Sequence, residues 1–339
     1  TSAIALALLF IPLFLVVVGF HEMGHAVAGI WVKFDFRMYV IGPLMWEKEE
    51  AGWTFKWNRN VNTAGGMVIC IPVGGDDLRR RFSVYAAGGP VASLFLATTG
   101  FISFRLLSGL FPSGSTTAQI LLYSILLMSL LSAVIFLATA IPVHAGGFYS
   151  DGARILRLQR GGDTARFDTL MLKIIASSTA GTRPAELAYE ELTEALELAR
   201  KLNAPFEVYL HSYFHQAAFD RGDIEMAENH LQDYVRGAES IPQGIRSVVW
   251  LDAAFFYAFA RKDVHLANSY WNQFKQSAII PKAQILATEA ALAWLKKENK
   301  IAGDKTQSAI RELPGMMDKG LSLALKSKLL RLNERWMNE

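Results

Sequence analysis

The stretch "VVVGFHEMGHAVAGIWV" (Val16–Val32) places two histidines and a glutamate inside a run that otherwise reads as a membrane-crossing helix. An ionised carboxylate at bilayer depth costs about 2.5–3.5 kcal/mol or more, so polar groups there call for a chemical reason. On a helix, residues four apart share a face, so His21 and His25 can aim both imidazoles at one ion. Glu22, one step on from His21, can reach a water at that ion. This is the HExxH arrangement of two zinc ligands and a general base, in which Zn2+ lowers the pKa of water to about 7 and the carboxylate takes its proton. The blander readings are a histidine pair lining an ion path and simple helix–helix hydrogen bonding. From Ile4 to Phe20 runs about 25 Å of helix. The three residues therefore lie within the membrane, toward the end of the first span.

Working outward, the apolar residues are unevenly spread. They make up 52% of the 339 residues. Stretches of about 3–32, 83–111 and 118–145 are each long enough to cross a bilayer, which takes about 20 residues. The part after 160 has ordinary soluble composition. The reading is two domains, 1–160 in the membrane and 161–339 as a soluble helical domain. A net charge of +3, with the basic residues ungathered, argues against nucleic acid. With one cysteine, Cys70, an intrachain disulfide and a cysteine-based zinc cluster are excluded. The first run has no basic leader region and no small-residue cleavage site, so it does not read as a signal peptide. It begins at Thr1 rather than Met, which leaves an upstream helix open.

Lys33, Arg37, Lys48, Lys56, Arg59 and Arg79–Arg81 follow the first span, and Arg154, Arg157 and Arg160 follow the third, whereas "FPSGSTTAQ" between the second and third carries no charge. The positive-inside rule puts the 33–82 loop and the C-terminal half in the cytoplasm. Within the loop, alternation in "KFDFRMYV" and "WTFKW" and the apolar "MVICIPV" predicts a small antiparallel sheet over about 34–75. Phe34, Phe36, Met38 and Val40 are expected on one face. Gly65, Gly66 and Met67, where the last strand begins, are candidate substrate-binding positions on an edge open to an extended peptide; a sheet that merely caps the helices is the alternative.

In the C-terminal half "AAFDRGDIEMAENHL" (217–231) lines up with "YAFARKDVHLANSYW" (257–271), and more faintly with "AWLKKENKIAGDKTQ" (293–307). Each places a polar turn between two amphipathic helices, which resembles a tetratricopeptide (TPR-like) array and offers a surface for a cytoplasmic protein regulator. The alternative is an irregular bundle. The histidines of "HSYFH" (211–215) lack the glutamate of an HExxH and read as a satisfied helix face.

Zinc needs a third protein ligand. Asp151, in "IPVHAGGFYSDGARILRL", follows the third span at the level of His21 and His25. It competes with an ordinary role, since Ser150 or Asp151 would serve well as a helix N-cap. Taken together, "HEMGH" in one span and Asp-Gly after the third resemble the site-2 protease family of intramembrane zinc metalloproteases over about residues 1–160. The resemblance implies a mainly α, polytopic fold with a three-helix catalytic core. It implies zinc on His21, His25 and Asp151 with Glu22 as base, and a membrane-protein or membrane-inserted peptide as substrate. It also implies residence in a membrane, the bacterial cytoplasmic membrane being the expectation. "AAGGPVASL" (86–94) resembles the family's small-residue helix motif, and the 34–75 loop its membrane-associated β-loop.

Two departures stand out. Thr139 occupies the place of the family's asparagine three residues before Pro142, and nine residues separate Pro142 from Asp151. The extra residues "HAGGFY" bring in His144, a candidate auxiliary group. Two rival readings complete the set. One is a membrane zincin with a glutamate as third ligand, for which only Glu47, Glu49 and Glu50 are near. The other is a non-proteolytic membrane-tethered adaptor.

Overall fold

The computed structural model describes residues 2–49, 52–58, 65–110, 115–145, 148–204, 207–277 and 280–338. It divides into two compact units, residues 1–72 with 77–161, and residues 73–76 with 162–339.

The first unit holds three helices long and apolar enough to cross a membrane: α1 (Ser2–Trp31), α2 (Leu78–Ser108) and α3 (Thr116–Ala140). Side chains such as Ile4, Leu8, Ile11 and Leu106 point away from the bundle and are exposed to what surrounds it. That is the outward face expected of helices solvated by lipid. The second span starts at Leu78 rather than 83, so Arg79–Arg81 form its first turn. The third stops at Ala140 rather than 145, because Pro142 drives Ile141 into an extended conformation.

α1 and α2 approach backbone to backbone. A Cβ on Gly24 would sit 2.2 Å from the Gly88 carbonyl oxygen, and one on Gly88 would sit 2.3 Å from that of Gly24. Lipid tails are as apolar as leucine, so close backbone packing and hydrogen bonds hold such helices together. The hydrogen bonds are present between α3 and α2, where Ser132 Oγ donates to the Ser93 carbonyl (2.8 Å) and Ser129 Oγ to that of Ala97 (2.7 Å).

Between α1 and α2 the chain forms a four-stranded antiparallel sheet, β1 (Asp35–Ile41), β2 (Leu44–Glu49), β3 (Gly52–Trp57) and β4 (Met67–Ile71), in the order β3-β2-β1-β4. β2, "LMWEKE", is a strand that alternation did not reveal, because its face mixes Trp46 with Lys48. Met38 and Val40 are buried as expected, but the register slips between Phe36 and Met38. This bulge turns Phe36 to the other face, where it meets Tyr39 and Trp53. Contacts fixing the sheet to the helices include the following. Tyr39 Oη donates to the Gly19 carbonyl (2.5 Å), Tyr85 Oη to that of Val68 (3.0 Å), and Cys70 packs against Gly29. Residues 50–51 and 59–64 of the expected loop lie outside the described residues.

After α3 come a two-stranded hairpin, β5 (His144–Ala145) and β6 (Phe148–Tyr149), and α4 (Asp151–Arg160). The second unit is helical: α5 (Gly162–Ala180), α6 (Tyr189–Lys201), α7 (Glu207–Arg221), α8 (Ile224–Arg236), α9 (Gln243–Phe256), α10 (Val264–Gln273), α11 (Lys282–Leu295), α12 (Asn299–Glu312) and α13 (Lys319–Asn338). The three aligned segments each form a helical hairpin, and each has a left-handed residue at its turn: Gly222, Lys262 and Lys297. Asp223 and Asp263 cap the helices that follow, accepting from Met226 N–H and Leu266 N–H.

The two kinds of helix contact differ in what they tolerate. Gly88→Val is expected to destabilise the first unit by about 3 kcal/mol or more, since the backbone of α1 must move. Ser132→Ala, losing one interhelical hydrogen bond, should cost only about 0.6 kcal/mol. Denaturant titration of the detergent-purified protein compares them, and equal costs would refute the close approach.

Candidate metal centre

His21 and His25 lie one helical turn apart on the buried face of α1. Each ring is held by α2. The Nδ1–H of His25 donates to the Tyr85 carbonyl (3.0 Å), and Nδ1 of His21 pairs with Ser93 Oγ (2.8 Å). A carbonyl only accepts, so His25 meets it with a proton on Nδ1 and a lone pair on Nε2, while Gly89 N–H also lies 3.3 Å from Nδ1. Such second partners orient a histidine ligand and set its tautomer.

Nε2 of His25 lies 3.2 Å from Nε2 of His21, and Asp151 Oδ2 lies 3.5 Å from the first histidine and 3.3 Å from the second. Burial raises the pKa of Asp151, but the facing histidines lower it by more, so its carboxyl stays below the usual range and the residue is an anion. Lone pairs and a carboxylate oxygen thus converge in a buried spot, an arrangement that repels itself unless a cation or proton is shared. Ligands about 2.0–2.1 Å from a tetrahedral ion stand about 3.3 Å apart. The three separations match that figure, so the residues fit a divalent metal. Space is reserved as well: a Cβ on Gly89 would lie 2.3 Å from His25 Nε2 and 2.6 Å from His21 Nε2.

The competition over Asp151 is resolved by its neighbour. Ser150 is the N-cap of α4, its Oγ accepting from Ala153 N–H (3.2 Å) and donating to the Ile141 carbonyl (2.7 Å). Asp151 is thereby free to face the histidines. Gly152 is needed because a Cβ there would lie 1.9 Å from the Ala140 carbonyl oxygen. The long spacing from Pro142 is taken up by the β5–β6 hairpin, whose ends are brought together when Ser150 N–H donates to the Val143 carbonyl (3.0 Å). His144 is exposed and stacks on Tyr149, which in turn lies under Arg157. Gly146 and Gly147 lie outside the described residues. Thr139 Oγ1 bonds back to the Ile135 carbonyl (2.9 Å) within its own helix.

Glu22 lies beside the start of β4: an added Cβ on Gly66 would meet Glu22 Oε1 at 3.0 Å and Val18 at 2.6 Å. Gly66 has φ +102°, a conformation that side-chain-bearing residues rarely adopt. Burial and then the charge of Glu22 push the Tyr39 phenol up to about 12, so it remains a neutral hydrogen-bond donor. Glu47 and Glu49, the described acids of the rival zincin reading, are instead paired with Lys56 at 2.8 and 2.7 Å. Tyr85, Gly89 and Ser93 are the supporting residues that the sequence reading passed over. Gly89 and Ser93 lay in the quoted "AAGGPVASL", read there only as a packing motif.

With this geometry in place, the comparison with known families is decisive. The family model described as Peptidase family M50 matches residues 9–307. The chain belongs to Peptidase family M50. No curated protein and no solved structure matches it. The match covers most of the first candidate span and all of the other two, and runs well into the helical half, beyond the 1–160 that the motifs alone cover. As a member of family M50, the chain is an integral membrane protein of the metallopeptidase class.

The supports of this candidate centre should be graded. Gly89→Ala drives a methyl into both Nε2 positions and is expected to abolish metal retention. Ser93→Ala frees one ring and should weaken binding by about 10-fold. Metal content after dialysis against graded chelator separates them, and retention unchanged in Gly89→Ala would contradict the geometry.

Proposed function

We propose that the chain is a site-2-type zinc endopeptidase that cleaves a peptide bond in or near a transmembrane segment of another protein or peptide precursor. The observation that carries this is the meeting of His21, His25 and Asp151 at 3.2–3.5 Å with Glu22 alongside, within a unit of membrane-crossing helices. His21, His25 and Asp151 would hold the ion. A zinc ion so held supplies Lewis acidity, polarising a carbonyl and lowering the pKa of water to about 7.

The protein's own groups do the rest. Glu22, next in sequence to His21, takes the proton of the attacking water and passes it to the amine nitrogen that leaves. Asp151 contributes a negative charge, which together with two neutral imidazoles leaves the centre a net positive charge with a divalent ion. Ser93 and Tyr85 keep both rings turned toward Asp151. β4 is an edge strand of its sheet, and of its entry residues Gly65, Gly66 and Met67 it is Gly66 that lies beside Glu22. A substrate unwound into extended form and paired along β4 would bring its backbone to the carboxylate.

The helical half reads as a TPR-like domain on the cytoplasmic side, where it recruits a protein regulator or gates substrate. Its three hairpins with a left-handed turn residue support that reading, as does the basic charge flanking the first and third spans.

The test is Glu22→Gln. Reconstituted into liposomes with a panel of single-span peptides, it should retain metal while losing about 10²–10⁴-fold in cleavage rate. Asp151→Asn should lose both metal and cleavage. Cleavage undiminished in Glu22→Gln would sink the mechanism; metal undiminished in Asp151→Asn would sink the ligand set.

A further inference from the structure

A second cluster of ligand atoms lies in the helical unit, between α7 and α8. His230 and Asp233 are three residues apart and so share one face of α8. Facing them from α7 is His211, which is buried. Nδ1 of His211 is 3.1 Å from Nδ1 of His230 and 3.6 Å from Asp233 Oδ2, and the three ligand atoms lie within 4.8 Å of one another. The two shortest separations bracket the about 3.3 Å of ligands on a tetrahedral ion, and resemble the 3.2–3.5 Å of the membrane centre.

The rings and the carboxylate are oriented by their neighbours. His230 stacks on Phe214 with centroids 4.7 Å apart and planes 14° from parallel. Asp233 Oδ1 accepts from Arg236, which leaves Oδ2 to turn toward His211. His215, one turn on from His211, plays no part, since its Nδ1–H donates to the Ala227 carbonyl (2.8 Å). So "HSYFH" divides: His215 is a satisfied core histidine, and His211 belongs to a constellation that spans two helices. An open groove lined by Asn203, Glu207, His211 and Asp233 reaches the cluster, leaving room for water as a further ligand, while Glu207 accepts from Arg200 (3.1 Å). Arg200 and Arg236 also border it, so an ion is held less tightly than at the membrane centre.

We infer that His211, His230 and Asp233 form a second divalent-metal site, which ties α7 to α8 and takes a first-row transition ion, zinc by its two-imidazole, one-carboxylate ligand set. This inference does not rest on the peptidase reading of the membrane centre.

The test uses the full chain in detergent, stripped with chelator, dialysed against Zn2+ and counted by plasma mass spectrometry. Wild type should hold two zinc ions per chain. His21→Ala/His25→Ala should hold one, His211→Ala/His230→Ala one, and the fourfold variant none. Cobalt loaded into the first variant should give the visible absorption of a four-coordinate site. Asp233→Asn in that background should weaken zinc by at least about 10-fold with an unchanged circular dichroism spectrum. Two results overturn the inference: His211→Ala/His230→Ala retaining as much zinc as wild type, or His21→Ala/His25→Ala holding none while folded. Either makes the cluster a histidine–histidine hydrogen bond only. If the variants of α1 do not fold, the difference between wild type and His211→Ala/His230→Ala still decides. Zinc lost only on changing His211 and His230 would leave this site standing and sink the membrane centre.

Discussion

Between Gly24 and Gly88 there is no room for a methyl group, and the chemistry of the first unit depends on that closeness. Because α1 and α2 meet at backbone contact, Gly89 comes under both imidazoles, Tyr85 offers its carbonyl to His25, and Ser93 reaches His21. Helices held apart by larger side chains would leave the ring nitrogens to find partners by rotating, and the Nε2 atoms would no longer point together. In lipid the approach gains little from apolar burial, so dispersion between backbones and a few hydrogen bonds must hold it. Ser132 extends the chain of bonds to the third helix: its hydroxyl bonds the Ser93 carbonyl, and the Ser93 hydroxyl bonds His21. His21 is thus fixed by all three spans.

The third group facing the cluster, Asp151, comes from outside the spans. Asp151 needs a helix start that does not consume its carboxylate, and Ser150 supplies one. Tyr85 couples the sheet to the same centre, since its carbonyl holds His25 while its hydroxyl holds β4 through Val68. The edge strand and His25 therefore share a single residue as their reference point, and α1 is a further one through Tyr39 and Gly19.

How much of this was legible varies with the kind of signal. The HExxH pair shows in the sequence because both ligands lie within one turn of one helix, where spacing translates directly into geometry. Asp151 was legible only as a candidate, because its use as a ligand or a cap depends on what Ser150 does. The spans were recognised from hydropathy, but their ends were not: Arg79–Arg81 start α2 although they are charged, and Pro142 ends α3 although its surroundings are apolar. Phe36 was assigned to the wrong face because a bulge changes the period of two, and a bulge leaves little trace in a single sequence. Ser93 and Tyr85 were missed since their partners lie 72 and 60 residues away, and no local pattern encodes such pairings. For the same reason His211 and His230, on separate helices, did not read as a pair.

The β5–β6 hairpin changes what sequence length means near the metal. Ser150 bonds back to Val143 and Ile141, closing the segment between them into a side excursion whose two ends are pinned. The position of Asp151 is then set by the base of the excursion, and its contour length becomes a nearly free variable. Doubling a closed loop costs only about 0.6 kcal/mol. Asp151 would accordingly keep its register through an insertion of many residues there, so the interval between Pro142 and Asp151 is a poor guide to its placement. Topologically, the interval between the two pinned ends is a natural insertion port.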